Sequence, residues 1–140
     1  IKMIIDGTDL ILGRAAAFAA KNALLGEDVQ IINCEEMVIT GKRKSILDEY
    51  QRMKRMGVPS KGPFLPKRPD MLVKRVIRGM LPYKQFKGKM AFKRVMCHIG
   101  NPKVLKGDSQ VSKLASVDKV PNLKYIKLKE VSKELGWLRK

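Results

Sequence analysis

The chain has few residues that could do chemistry, and their spacing argues against most reactions. Gly41-Lys42 follows the apolar run Met37-Val38-Ile39 and invites a phosphate-loop reading. Such a loop needs a glycine five residues before the Gly-Lys pair and a Ser or Thr directly after it. Glu36 and Arg43 occupy those two positions. Gly7 and Gly13 do not build the GxGxxG turn of a dinucleotide site. His98 is the only histidine and has no nearby carboxylate or ligand-spaced Cys/His partner in sequence. Cys34 and Cys97 are far apart and read as buried free thiols rather than a disulfide. No nucleophile, base and acid can be assembled from these residues. The expectation is a protein that is not an enzyme and uses no cofactor, metal or small-molecule substrate.

The residues that remain are cations, and their chemistry is the binding of anions. Lys74, Arg75 and Arg78 stand at i, i+1 and i+4 in the stretch Asp70–Arg78, which reads as a helix. Leu72, Val73, Val76, Ile77 and Met80 form its opposite, apolar stripe. Gly79 lacks a Cβ, so a second backbone, of protein or nucleic acid, can approach there. Pro82 stops the helix, and Tyr83 and Lys84 lead into another basic run. In that run Lys84, Lys87, Lys89, Lys93 and Arg94 alternate with Phe86, Met90 and Phe92. Aromatics among cations can stack on bases. Phe92 reads as core, whereas Phe86 fits either role. Arg14, near the start of an earlier helix, opposes the helix dipole unless it shares an anion with the free N–H groups there. The alternative is an arginine that points to water.

The charge balance points the same way. The formal net charge is +17 over 140 residues, and residues 41–94 alone carry +14, against −3 for residues 1–40. A polyanion must neutralise such a concentration. Glycines and prolines interrupt the basic run, which disfavours an amphipathic membrane helix and favours nucleic acid. No apolar run approaches the roughly 18 residues of a membrane span, and no secretory signal pattern is visible, so a cytoplasmic protein is expected. With 44% hydrophobic residues, the chain has material for a core of its own.

Positioning those cations requires a scaffold. Met3-Ile4-Ile5 reads as a buried strand, and Leu12, Ala16, Ala19, Ala20, Ala23 and Leu24 recur at helical spacing before Gly26. Val29–Asn33 is the next strand, and strand, helix and strand predict a βαβ unit with a parallel sheet. Ile46, Leu47, Tyr50, Met53 and Met56 predict a second helix starting near Ser45. Residues 57–69 hold four prolines and two glycines and read as an extended segment without helix or strand. Val95–Ile99 predicts a strand, and residues 103–121 a surface excursion. Residues 123–128 predict a last strand, followed by a short helix over Lys129–Leu135. Trp137 either anchors the tail or meets a partner. The fold class predicted is a single three-layer α/β/α domain over residues 1–140, with about four mostly parallel strands near 3–6, 29–33, 94–99 and 123–128.

One stretch also resembles a known family. Ile77-Arg78-Gly79-Met80-Leu81-Pro82-Tyr83-Lys84, with Lys87-Gly88-Lys89 and Ala91, is similar to the signature of the large-subunit ribosomal protein L-thirteen family. Leu12-Gly13-Arg14, Ile32-Asn33, Thr40-Gly41-Lys42, Gly62-Pro63 and Arg68-Pro69 fit the same family in the same order, over roughly residues 4–101. The resemblance implies the α/β fold and a structural constituent of the large ribosomal subunit that binds ribosomal RNA and touches neighbouring ribosomal proteins. The RNA-contact candidates are Arg14, Lys42, Arg43, Lys44, Lys61, Lys67, Arg68, Lys74, Arg75, Arg78, Tyr83, Lys84, Lys87, Lys89 and Arg94. Two other readings stay open: a free RNA-binding regulator, and a nucleotide-using enzyme on a Rossmann-like sheet.

Overall fold

Strand β1 (Lys2–Asp6), helix α1 (Leu12–Leu24) and strand β2 (Asp28–Ile32) open the computed structural model, which describes residues 2–102, 116, 118 and 124–137. Leu12, Ala15, Ala16, Ala19, Ala20 and Ala23 are buried along one face of α1. Their small side chains let the helix lie close on the sheet. Gly26, at φ +100°, ends the helix in the left-handed conformation that a side chain would resist. β1 and β2 pair in parallel, with Ile5 opposite Ile31.

Helix α2 (Arg43–Arg55) follows a 3-10 turn at Cys34–Glu36 and a short strand, β3 (Val38–Thr40). Ile46, Leu47, Tyr50 and Met53 are half-buried on α2 as predicted, while Met56, just past its end, is exposed. Helices α3 (Pro69–Met80) and α4 (Phe86–Arg94) lead into β4 (Val95–Cys97), which pairs in parallel with β2. The predicted strand at 94–99 is therefore shorter, although His98 N–H still donates to the Ile31 carbonyl at 2.8 Å.

The sheet order is β1-β2-β4. Successive parallel strands are added in one direction, so right-handed crossovers bring their helices to the same face. α1 accordingly contacts both α3 and α4. Ile5, Val29, Ile31 and Val95 are buried in the sheet, while Met96 lies exposed. The α/β class and the mostly parallel sheet are those predicted, with α1, α3 and α4 gathered together against it.

The predicted fourth strand does not join this sheet. Its described part, β5 (Tyr125–Lys127), pairs antiparallel with β3, Ile39 opposite Ile126. β3 escapes a sequence reading because three residues are too few to show a period. α5 (Leu128–Glu134) ends the described fold near the predicted final helix and packs with α2 and β5. Trp137 is half-buried. The predicted excursion at 103–121 lies outside the described residues except for Ser116, which bridges to Leu10, and Asp118.

Candidate nucleic-acid interface

Helix α3 divides its two faces sharply. Pro69 opens it, where a missing N–H costs nothing, and Asp70 in its first turn accepts a 2.9 Å ion pair from Arg68. Leu72, Val73 and Ile77 are buried in the core. Lys74 and Arg75 are half-buried on their apolar stems, and Arg78 is exposed. Met80 departs from the predicted apolar stripe: it is 43% exposed, and Leu81, 4% exposed, takes the core position instead. The helix ends at Met80, so the extended backbone of Leu81 turns the chain inward there.

The close backbone approach predicted at Gly79 is not made by the protein, since a Cβ there would meet nothing within 4 Å. It occurs at Gly88, where a Cβ would collide with the Pro82 carbonyl. Gln85 N–H donates to that carbonyl at 2.9 Å and closes the turn that packs against Gly88. Tyr83 is held beside α3, with the Arg78 guanidinium 5.2 Å from its ring centre. Lys74 Nζ sits 5.0 Å from the ring centre of Phe92, on α4. Phe92 is half-buried against the core, and Phe86 is 79% exposed.

Among the described residues, no carboxylate pairs with Lys74, Arg75 or Arg78. They line one cleft together with Phe64, Pro66 and Met71. Arg75 Nη1 donates to the Phe64 carbonyl at 3.1 Å and ties the irregular 63–67 segment to the helix. Sequence reasoning missed Phe64 and Met71 as part of this site. Phe64 did carry a signal, an aromatic between Lys61 and Lys67; Met71 carried none.

The other predicted contact residues are dispersed. Arg14 is exposed in the first turn of α1, which has no acidic residue. Lys42 stands at the N-cap position of α2 and is exposed, as is Lys44. Lys61 is exposed in the turn at Pro59–Lys61, and Lys67 is exposed near Gly136. Tyr83, Lys84, Lys87 and Lys89 are exposed. Arg43 and Arg68 are exposed but paired with protein carboxylates, and Arg94 is half-buried on a backbone carbonyl. Arg43 pairs with Glu130, Arg68 with Asp70, and Arg94 donates to the Ala23 carbonyl at the end of α1.

Several acidic residues are also engaged by protein groups. Glu36 takes Lys127 at 2.6 Å and Lys129 at 3.0 Å, and these hydrogen bonds hold its carboxyl below the usual range. The same contact raises Lys127. Glu35 accepts the Gly100 N–H, and hydrogen bonds from Asn33 and Thr8 to Asp6 outweigh the opposing effect of its partial burial, leaving its carboxyl lowered. The Cys34 thiol, hydrogen-bonded to Cys97 and buried, is pushed far above its ordinary value, the opposite of an activated nucleophile. The Gly41 N–H is bound by the Lys124 carbonyl at 2.9 Å and is not free to cradle a phosphate.

A model of the family described as Ribosomal protein L13 matches residues 2–104, a span that holds the whole cleft and the parallel sheet. The chain belongs to this family. It is 42% identical over 137 residues to the large ribosomal subunit protein uL13 of Methanopyrus kandleri, covering 96% of this chain and 86% of that one. The protein of the same name from Methanocaldococcus jannaschii is 45% identical over 137 residues, covering 95% and 96% of the two chains. That of Methanosarcina barkeri is 43% identical over 136 residues, with the same coverage.

Proposed function

We propose that this chain is a structural constituent of the large ribosomal subunit that holds folded ribosomal RNA through α3 and the basic loops around it. The observation that carries the reading is α3 itself. One face is buried in the core, and the other presents three cations with no carboxylate partner among the described residues. The chemistry is neutralisation of phosphates with release of their counterions, together with recognition of RNA shape. Arg14, Lys42, Lys44, Lys61, Lys67, Tyr83, Lys84, Lys87 and Lys89 are exposed and available for the same task. Arg43, Arg68 and Arg94 position helices first and reach RNA only with their remaining donors. Neighbouring ribosomal proteins are further partners, and the cytoplasmic ribosome is the setting.

Strand order opposes the enzyme reading. Ligands of open α/β sheets bind where the strand order reverses, and among the described residues the order β1-β2-β4 has no reversal. The test of the proposal is sedimentation of a cell extract through sucrose in high salt. The chain should travel with large subunits; a chain that stays at the top of the gradient is a free regulator and contradicts this reading.

A further inference from the structure

The cleft beside α3 has a volume of about 340 Å³. That is near the lower end of small-molecule sites, roughly 300–1,000 Å³, and it suits one ring system with its sugar rather than a duplex. Its walls are chemically divided. Phe64, 72% exposed, and Met71, 47% exposed, present apolar surface together with Pro66. Lys74, Arg75 and Arg78 present positive charge, and none of the lining residues is acidic.

Two neighbouring aromatic rings already have cations over them: Phe92 has Lys74 and Tyr83 has Arg78. Phe64 has no such cover among the described residues, and it is the open ring in the cleft. Its backbone is anchored, since its carbonyl accepts from Arg75 at 3.1 Å. The cleft is therefore formed before anything enters it, which lowers the ordering cost of binding.

An occupant must offer a flat apolar body attached to an anion. A peptide strand fits poorly, because the wall it would meet is α3, whose backbone groups are bonded within the helix. A nucleotide has both required parts. We propose that the cleft takes one unpaired nucleotide of ribosomal RNA. The base stacks on Phe64 between Pro66 and Met71, and the flanking phosphates are held by Lys74, Arg78 and the free donors of Arg75. This rests on the RNA-binding reading above and gives it a site at which a base, as well as the backbone, is contacted.

The test uses the full chain and protein-free large-subunit ribosomal RNA, titrated by filter binding at several salt concentrations, with Phe64→Ala, Phe64→Leu and Phe64→Trp. Melting temperatures should be unchanged, because the side chain is mostly exposed. Loss of a stacked base weakens binding by about 5- to 100-fold, so this loss is expected for the Ala and Leu variants. The Trp variant should bind within about threefold of the parent. The salt slope should be the same for all four proteins, since no phosphate contact is removed. Leu binding as well as Phe would show an apolar anchor without stacking and overturn the proposal. Ala binding as well as Phe to naked RNA, with weaker retention in assembled subunits, would assign the cleft to a protein neighbour. A shallower slope for Ala would make Phe64 a support for the cations instead. If the parent chain itself binds this RNA without salt dependence, the wider reading fails together with this one; if only the Phe64 variants are silent, the wider reading stands.

Discussion

Ile77 and Arg78 are adjacent in sequence and point to opposite environments. Ile77 has no exposed surface and sits in the core beneath α3, while Arg78 is exposed and lies over the Tyr83 ring. Ile77→Ala should leave a cavity that costs about 2–5 kcal/mol of stability. The RNA affinity of the folded fraction should hardly change. Arg78→Ala removes a charge-assisted contact and an exposed cation–π contact worth about 0.5–1 kcal/mol. It should weaken RNA binding roughly ten- to a hundredfold with only a small drop in melting temperature. Urea unfolding and filter binding on both variants check this division; an Arg78→Ala protein that unfolds yet binds RNA normally when folded would make Arg78 structural. Much of this contrast is legible in the sequence, because helical spacing separates residues 77 and 78 by about 100° around the axis. Met80 was not legible: spacing places it on the apolar stripe, but the helix ends there and Leu81 replaces it in the core. Gly88 was not legible either, since its role depends on where the Pro82 carbonyl folds back.

At the scale of elements, the small β3–β5 sheet fastens the end of the described fold to its beginning. Backbone pairing does part of this, and Glu36 does more by bridging Lys127 on β5 and Lys129 on α5. The Glu36 carboxyl is lowered from an ordinary value of 4.5. A carboxylate lowered on folding stabilises above its unfolded value, and that contribution disappears as pH falls through the folded value. Lys127 is raised from 10.5, so its part is complete below that value and is lost only as pH rises through the folded one. These groups are partly exposed, so each pair contributes about 0.2–1 kcal/mol. Glu36→Gln should lower stability by a similar amount near neutral pH, and the gap from the parent should close as pH falls below about 4.5. Urea titrations across the acid range read this directly, and a gap that does not narrow at all as pH falls below 4.5 would mean that packing, not charge, is what Glu36 supplies. None of this bridge was legible in sequence, because its partners lie far along the chain and β3 is too short to show a period. The βαβ start was legible, because its strand and helix patterns are local and strongly periodic.

The whole molecule separates its charges by use. Acidic side chains such as Glu36, Asp70 and Glu130 are neutralised by protein cations. The excess of +14 over residues 41–94 is left with few internal partners. Mutual repulsion among these cations opposes the folded state until a polyanion arrives, so the free chain and the bound chain differ most in electrostatics. This balance was visible in composition; which cations find protein partners was not, since Arg43 and Arg68, paired with carboxylates, look no different in sequence from Arg78. Binding should therefore depend steeply on salt. If about six to ten phosphates are contacted, affinity for large-subunit ribosomal RNA should fall by roughly 10³- to 10⁵-fold between about 50 and 200 mM salt. Each outward cation replaced by alanine should reduce the log–log slope by about one. Arg43→Ala should leave the slope nearly unchanged, because that guanidinium is paired with Glu130 before RNA binds. A filter-binding series over salt, with Lys74→Ala and Arg43→Ala beside the parent, separates the two classes. Equal slope changes for Lys74 and Arg43 would show that Arg43 leaves Glu130 on binding and that this pair exists only in the free chain.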